Sequence, residues 1–194
     1  MRKTPRAGHF WLDFTACFLI PCYTLLFAGS VQWFGTNFSV IAVTGADHYR
    51  GFIYWGLLAM GYFFVVLVQV GWTRPLLPRA GVWALALAAG LALSCALAIP
   101  YLPQYLPRFS ALHVVLAAGA CALLMMALLT AILAVRRRDR EKSGPLLRWW
   151  LLIVAGSGAL FAIPMMVSTA LEVFFTITSA LLARRLWLVQ RKGA

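Results

Sequence analysis

Residues 51–71 read GFIYWGLLAMGYFFVVLVQVG, a run without a single Lys, Arg, Asp or Glu. As a helix, a run this long reaches about 30 Å, the thickness of the hydrocarbon core of a bilayer. A surface helix of a small water-soluble domain keeps a polar or charged face toward solvent. This stretch has none, so it reads as a membrane span.

Working outward, the same reading applies to residues 11–30 before it and to 82–102, 111–135, 147–163 and 165–183 after it. The last two are short and share a turn at Pro164. Reading 147–183 as a single broken span would put Arg148 and the pair Arg184, Arg185 on opposite sides, whereas a hairpin puts them together. The expected fold is all-α: one six-helix transmembrane bundle over residues 1–194, without a soluble domain. Composition agrees. With 194 residues, 63% hydrophobic, 11% charged and a mean hydropathy of +0.86, the chain lacks the polar coat of a soluble enzyme. The same figures exclude a disordered segment and a secreted disulfide scaffold.

The formal charge is +12, from 17 Lys and Arg against 5 Asp and Glu. In a soluble protein that would suggest nucleic acid, but here the charge is sided. Fifteen of the 17 fall beside one set of span ends: Arg2, Lys3, Arg6, Arg74, Arg79, Arg136, Arg137, Arg138, Arg140, Lys142, Arg148, Arg184, Arg185, Arg191 and Lys192. Only Arg50 and Arg108 fall on the other. Cytoplasmic loops retain Lys and Arg, so both termini are expected in the cytoplasm of a multi-pass protein of the plasma (inner) membrane, with no nucleic-acid partner. Trp11, Trp72, Trp149, Trp150 and Trp187 near one set of ends, and Trp33 and Trp55 near the other, match interfacial belts. The basic start and the apolar run ending at 27–30 also have the form of a cleavable signal peptide, but removing it would leave an odd number of spans. The tract 136–142 reads as a retention signal, with contact to anionic lipid headgroups as the sharper alternative.

Ionisable groups within or beside spans are the strongest functional pointers, because each is costly unless paired or hydrated. Asp13 is expected to favour the positive end of the first helix. Glu172 lies about 18 Å along a helix from Arg184, in the outer part of the hydrocarbon layer. His113 opens the fourth span, and Asp47, His48 and Arg50 open the second, at the same outer level. The outer loop 31–50 adds Asn37, Ser39 and Thr44. Together Asn37, Ser39, Asp47, His48, Arg50, His113 and Glu172 outline an outward polar pocket, with His113 and Glu172 as acid–base candidates and the others as ligand contacts. The blander alternative is a set of surface residues plus an Arg50–Glu172 ion pair. Ser39 is a candidate nucleophile, although no GxSxG motif is present.

Two His with two carboxylates have the donor types for zinc, but no HExxH or i, i+4 His pair occurs, so no metal is assigned. Cys17, Cys22, Cys95 and Cys121 fall inside spans without a CxxC, and read as apolar fillers. No phosphate loop, dinucleotide fingerprint or paired haem histidines occur, and no cofactor is expected. Pro21 is expected to kink the first span, and the small residues Ala86, Gly90, Ser94 and Ala98 line the third for close helix packing.

The order Asn37-Phe38-Ser39-Val40-Ile41, then Asp47-His48-Tyr49-Arg50-Gly51-Phe52, with His113 opening the fourth span and Glu172 in the last, resembles the six-span family of damage-regulated autophagy modulators and FGF-receptor-activating proteins, with its bacterial relatives of unknown function. The resemblance implies a six-helix bundle with an outward polar site and a role near membrane lipids, and it points to Ser39, Arg50, His113 and Glu172. The short first and last outer loops depart from the family and weigh against a partner-binding role.

Three functional expectations follow. The first is an outer polar pocket that binds, and in its fuller form processes, a lipid or other amphiphile. The second is a small transporter or channel subunit acting as an oligomer, and the third a non-catalytic scaffold or accessory subunit. Partners are accordingly membrane lipids, a second copy of the chain or another membrane protein. A pocket opening sideways favours lipid. A polar path from Glu172 to Gln69 favours transport.

Overall fold

The computed structural model describes residues 7–72, 79–137 and 139–192. Arg2, Lys3, Arg6, Arg74 and Arg138 lie outside the described residues, as do the side chains of Trp72, Arg79 and Lys192. The described residues are helical, with no strand among them. In chain order the helices are α1 (Ala7–Phe14), α2 (Ile20–Ala28), α3 (Phe38–Ala42), α4 (Ala46–Trp72), α5 (Arg79–Ala98), α6 (Pro107–Arg136), α7 (Arg140–Ala162) and α8 (Thr169–Lys192).

α1 runs into α2 through a π-helical turn, Thr15–Leu19. Pro21 explains it. Proline has no N–H to offer the preceding turn, and its ring crowds that turn's carbonyl. Widening the backbone, so that Ile20 N–H bonds to Thr15 O five residues back, absorbs the misfit before the proline arrives. The expected disruption at Pro21 therefore takes the form of a π turn one step earlier. Likewise Pro107 begins α6, where a missing N–H costs nothing.

Five helical segments are long and apolar enough to cross a membrane: Phe10–Ala28, Ala46–Gly71, Ala80–Ala98, Pro107–Arg136 and Arg140–Ala162. α7 and α8 are longer than the two short spans expected, and the turn between them covers 163–168. α8 is not among the five, because Glu172, Arg184 and Arg185 make it too charged and too polar along its length. It is the interior helix: Ala180, Leu182, Ala183 and Leu186 have no exposed surface, and Ser168, Thr169, Thr176, Ser179 and Gln190 are buried with them. A helix wrapped by its neighbours has no need of an apolar coat, and its small polar residues let those neighbours approach. α7 is the reverse. Only 11% of its apolar window is buried, and Leu151, Leu152, Val154 and Phe161 face outward.

Two apolar clusters hold the bundle. The larger joins Val66 and Val70 of α4, Leu128 and Ile132 of α6, Leu146 of α7 and Leu186 of α8. At its far end Arg184 Nε donates to Asp13 Oδ1 at 2.6 Å, tying α8 to α1. Asp13 thus serves as an ion-pair partner. It lies near the end of α1, beyond the first turn where a helix dipole acts. The smaller cluster closes the opposite end of the bundle with Ala28, Phe38, Ile41, Phe52, Leu97 and Val173. Tyr49 Oη donates to Leu97 O at 2.7 Å, and Trp55 Nε1 donates to Thr24 Oγ1 at 3.1 Å, so that α2, α4 and α5 are pinned there. The small-residue stripe of α5 meets α4 of the same chain: a Cβ at Gly90 would lie 3.5 Å from Met60 Sδ, and Ser94 Oγ donates to that sulfur.

Candidate functional site

The end closed by the smaller cluster carries the polar residues singled out in the sequence. Its organiser is α3, a helix of five residues that was expected to be loop. Asn37 starts it: with extended backbone, its Oδ1 accepts from Val40 N at 2.9 Å, as an N-cap does. Phe38 is then driven into the core, where it is completely buried and meets Trp55 and Phe27 edge-on, with ring centroids 4.9 and 5.1 Å apart. Anchoring Phe38 fixes the direction of its neighbours on either side.

The start of α3 and the start of α8 satisfy each other. Glu172 Oε2 accepts from Phe38 N at 2.6 Å. In return, carbonyls of the loop before α3 accept from the first N–H groups of α8: Thr169 N donates to Thr36 O at 2.7 Å and Ala170 N to Trp33 O at 2.9 Å. Helix starts leave such donors without internal partners, so the two bonds explain how a loop can dock on a buried helix end. Glu172 therefore binds a backbone N–H, and Arg50 is not its partner.

One residue along α3, Ser39 Oγ lies 2.8 Å from His113 Nε2. The other ring nitrogen, Nδ1, is 2.9 Å from Ala96 O and 2.8 Å from Ile99 O. Carbonyl oxygens only accept, so Nδ1 carries the proton, and in the neutral ring Nε2 is the acceptor to which the Ser39 hydroxyl donates. His113 is 3% exposed and packed by Tyr101 and Phe52. Its orientation and its tautomer are both set by the end of α5. A hydroxyl against an imidazole whose far N–H is held by fixed acceptors is the arrangement that activates an oxygen nucleophile.

Asp47, His48 and Arg50 do not join this group. They sit exposed on the first turn of α4, where Arg50 Nη1 meets Asp47 Oδ1 at 3.3 Å and His48 Nδ1 meets Thr44 Oγ1 at 2.7 Å. Asn37, Ser39, His113 and Glu172 are thus brought together by α3, while the remaining three form a separate outward patch. Among the described residues no group of three His, Cys, Asp or Glu is placed to hold a metal ion. Cys17, Cys22, Cys95 and Cys121 are free thiols.

Two features escaped the sequence. The carbonyls of Ala96 and Ile99 have no side-chain signature. A cleft of about 360 Å³, lined by residues of α4, α5, α6 and α8, also went unforeseen. Trp33, Phe34, Tyr105 and Phe109 surround the site end as outward aromatic residues. The chain matches no family model, no curated protein and no solved structure.

Proposed function

We propose that this is a six-span membrane protein, with α8 as the sixth and innermost span and both termini in the cytoplasm of the plasma (inner) membrane. On this reading it binds a lipid or other amphiphile at its outer end and acts on it through Ser39 and His113. The observation that carries the reading is the contact of Ser39 Oγ with His113 Nε2 at 2.8 Å, with Nδ1 fixed by two carbonyls.

The chemistry suited to that pair is attack on an ester carbonyl. Ser39 Oγ adds to the carbonyl carbon as His113 Nε2 takes the hydroxyl proton. The same proton passes to the leaving alcohol as the ester C–O bond breaks. Water then releases the acid from Ser39 by the same route. Glu172 acts as a positioning residue, since its carboxylate holds the N–H of the residue before Ser39. Arg50 and Arg108, both exposed at this end, are placed to attract an anionic headgroup. The aromatic collar of Trp33, Phe34, Tyr105 and Phe109 suits a bilayer surface. In this proposal the chain is a relative of the autophagy-modulator and FGF-receptor-activating family, and its partners are membrane lipids.

Transport has weaker support, because Gln69, the inner polar residue such a path would use, faces outward from α4. The test is turnover in vesicles of phosphatidylcholine and phosphatidylglycerol. Wild-type protein should release fatty acid and Ser39→Ala should release none, with both equally folded. Equal release by the two, or none by wild type, would refute the reading.

A further inference from the structure

The cleft between α4, α5 and α6 has no residue of α7 in its lining and has no role in the proton chemistry above. Its walls are residues 55–67 of α4, 86–94 of α5 and 120–124 of α6, with Phe175 and Thr176 of α8 as the floor. No ionisable carboxylate, Lys, Arg or His lines it. Ser94, one of its few polar members, already donates to Met60 Sδ.

From Trp55 to Leu67 the cleft runs about 18 Å along α4, roughly the depth of one leaflet. With about 360 Å³ and almost no polar atom in its lining, the cleft suits an unbranched hydrocarbon chain and would leave the backbone N–H and C=O groups of an extended peptide without partners. Phe64, Leu87 and Leu91 stand outward at its lips, so the cleft is continuous with the surface that these apolar helices present to lipid. Its upper limit, Trp55, packs directly on Phe38, the residue before Ser39.

We propose that this cleft is the seat of a single acyl chain of a membrane lipid, entering sideways from the bilayer, with its ester end at Trp55 beneath the Ser39–His113 pair. The proposal rests on the function above only for the place of the headgroup. The chain seat stands on the cleft itself, and the two fail in different ways.

Gly61 supplies the test. A Cβ at Gly61 would meet nothing within 4 Å, and Gly61 lines the cleft, so Gly61→Leu has room to start its side chain and adds its bulk to the cleft. Gly158 on α7 is equally open but lies outside the cleft, and Gly158→Leu is the matched control. The probe is phosphatidylcholine carrying a diazirine midway along one acyl chain, in phosphatidylcholine vesicles. In wild type and Gly158→Leu, crosslinks should concentrate in peptides covering 55–67, 86–94 and 120–124. In Gly61→Leu they should fall by about tenfold, a change of about 1.4 kcal/mol in occupancy. Crosslinks spread evenly over outward surfaces, α7 included, and unchanged by Gly61→Leu would overturn the proposal.

A second measurement needs no variant. Cys121 lines the cleft and Cys95 does not, although both are exposed free thiols. In detergent, added phosphatidylcholine should slow alkylation of Cys121 by N-ethylmaleimide and leave Cys95 unaffected. Equal rates at Cys121 with and without lipid would contradict the acyl seat. Ser39→Ala should crosslink as wild type does. Turnover without cleft labelling breaks this proposal alone, and cleft labelling without turnover breaks only the esterase reading.

Discussion

Two polar groups occupy the same end of this molecule and differ in what holds them. The group on α3 is built into the packing: Ser39, His113 and Glu172 are each fixed by a partner on another element, and His113 is almost wholly buried. The group on α4 is exposed, and the side chains of Arg50 and Asp47 keep 71% and 94% of their exposure. The residue types overlap: each group has a His and a carboxylate. Burial behind Phe38 and a second-element partner give one group defined proton positions, and their lack leaves the other free to rearrange in water.

The comparison is easiest to break at His113. His113→Ala leaves the carbonyls of Ala96 and Ile99 and the Ser39 hydroxyl without their partner and opens a small void. The expected cost is about 3 kcal/mol, read as a fall in melting temperature in detergent. Glu172→Ala comes next. It removes the acceptor of Phe38 N–H, an expected loss of about 1–3 kcal/mol, whereas the amide oxygen of Glu172→Gln can still accept and should retain most of the stability. Equal melting temperatures for the two would show that the carboxyl does not position α3.

Ser39→Ala sharpens the contrast by separating folding from chemistry. Its stability should change by about 1 kcal/mol or less, while lipid turnover should vanish. For Arg50→Ala and Asp47→Ala no measurable shift in melting temperature is expected, because so exposed a pair is screened by water. A small but measurable effect belongs instead to Asp139, which caps α7 at the far end of the bundle by accepting from Lys142 N. The Lys142 side chain and backbone hold its carboxyl below the usual carboxylate range. Its contribution is therefore complete above the ordinary carboxylate pKa and fades as pH falls through the lower folded value. Asp139→Ala should differ from wild type at neutral pH and converge with it in acid, which melting curves at several pH values would show.

The membrane class and most of the helices were legible in the sequence because each outward helix must be apolar along a whole turn-by-turn length, and hydropathy reads that directly. α8 was legible as a helix but not as the interior one: Glu172, Arg184 and Arg185, with Thr176 and Ser179, lower its hydropathy, while its burial comes from neighbours that no single stretch reveals. Of the site, the common level of His113, Glu172 and the 31–50 loop at one end of the bundle was visible from helical rise alone. Their pairing was not. Which of Ser39, Asp47 and His48 faces His113 depends on α3, a short helix set by the Asn37 cap and the burial of Phe38, and charge favoured an Arg50–Glu172 pair that a backbone N–H in fact replaces. The cleft escaped because it is an absence of volume, produced by small residues such as Gly61, Ala86 and Ala89 on two helices whose facing sides no single stretch reveals.

The most direct test of the Ser39–His113 pair as a reactive site is covalent labelling of the protein in its native membrane by an alkyl fluorophosphonate, which a serine attacks with loss of fluoride only when its hydroxyl is activated. The expected result is one adduct on the peptide carrying Ser39, absent in Ser39→Ala and strongly reduced in His113→Gln. An unmodified Ser39 in folded wild-type protein would contradict it, and would leave the contact as a clamp between α3 and α6.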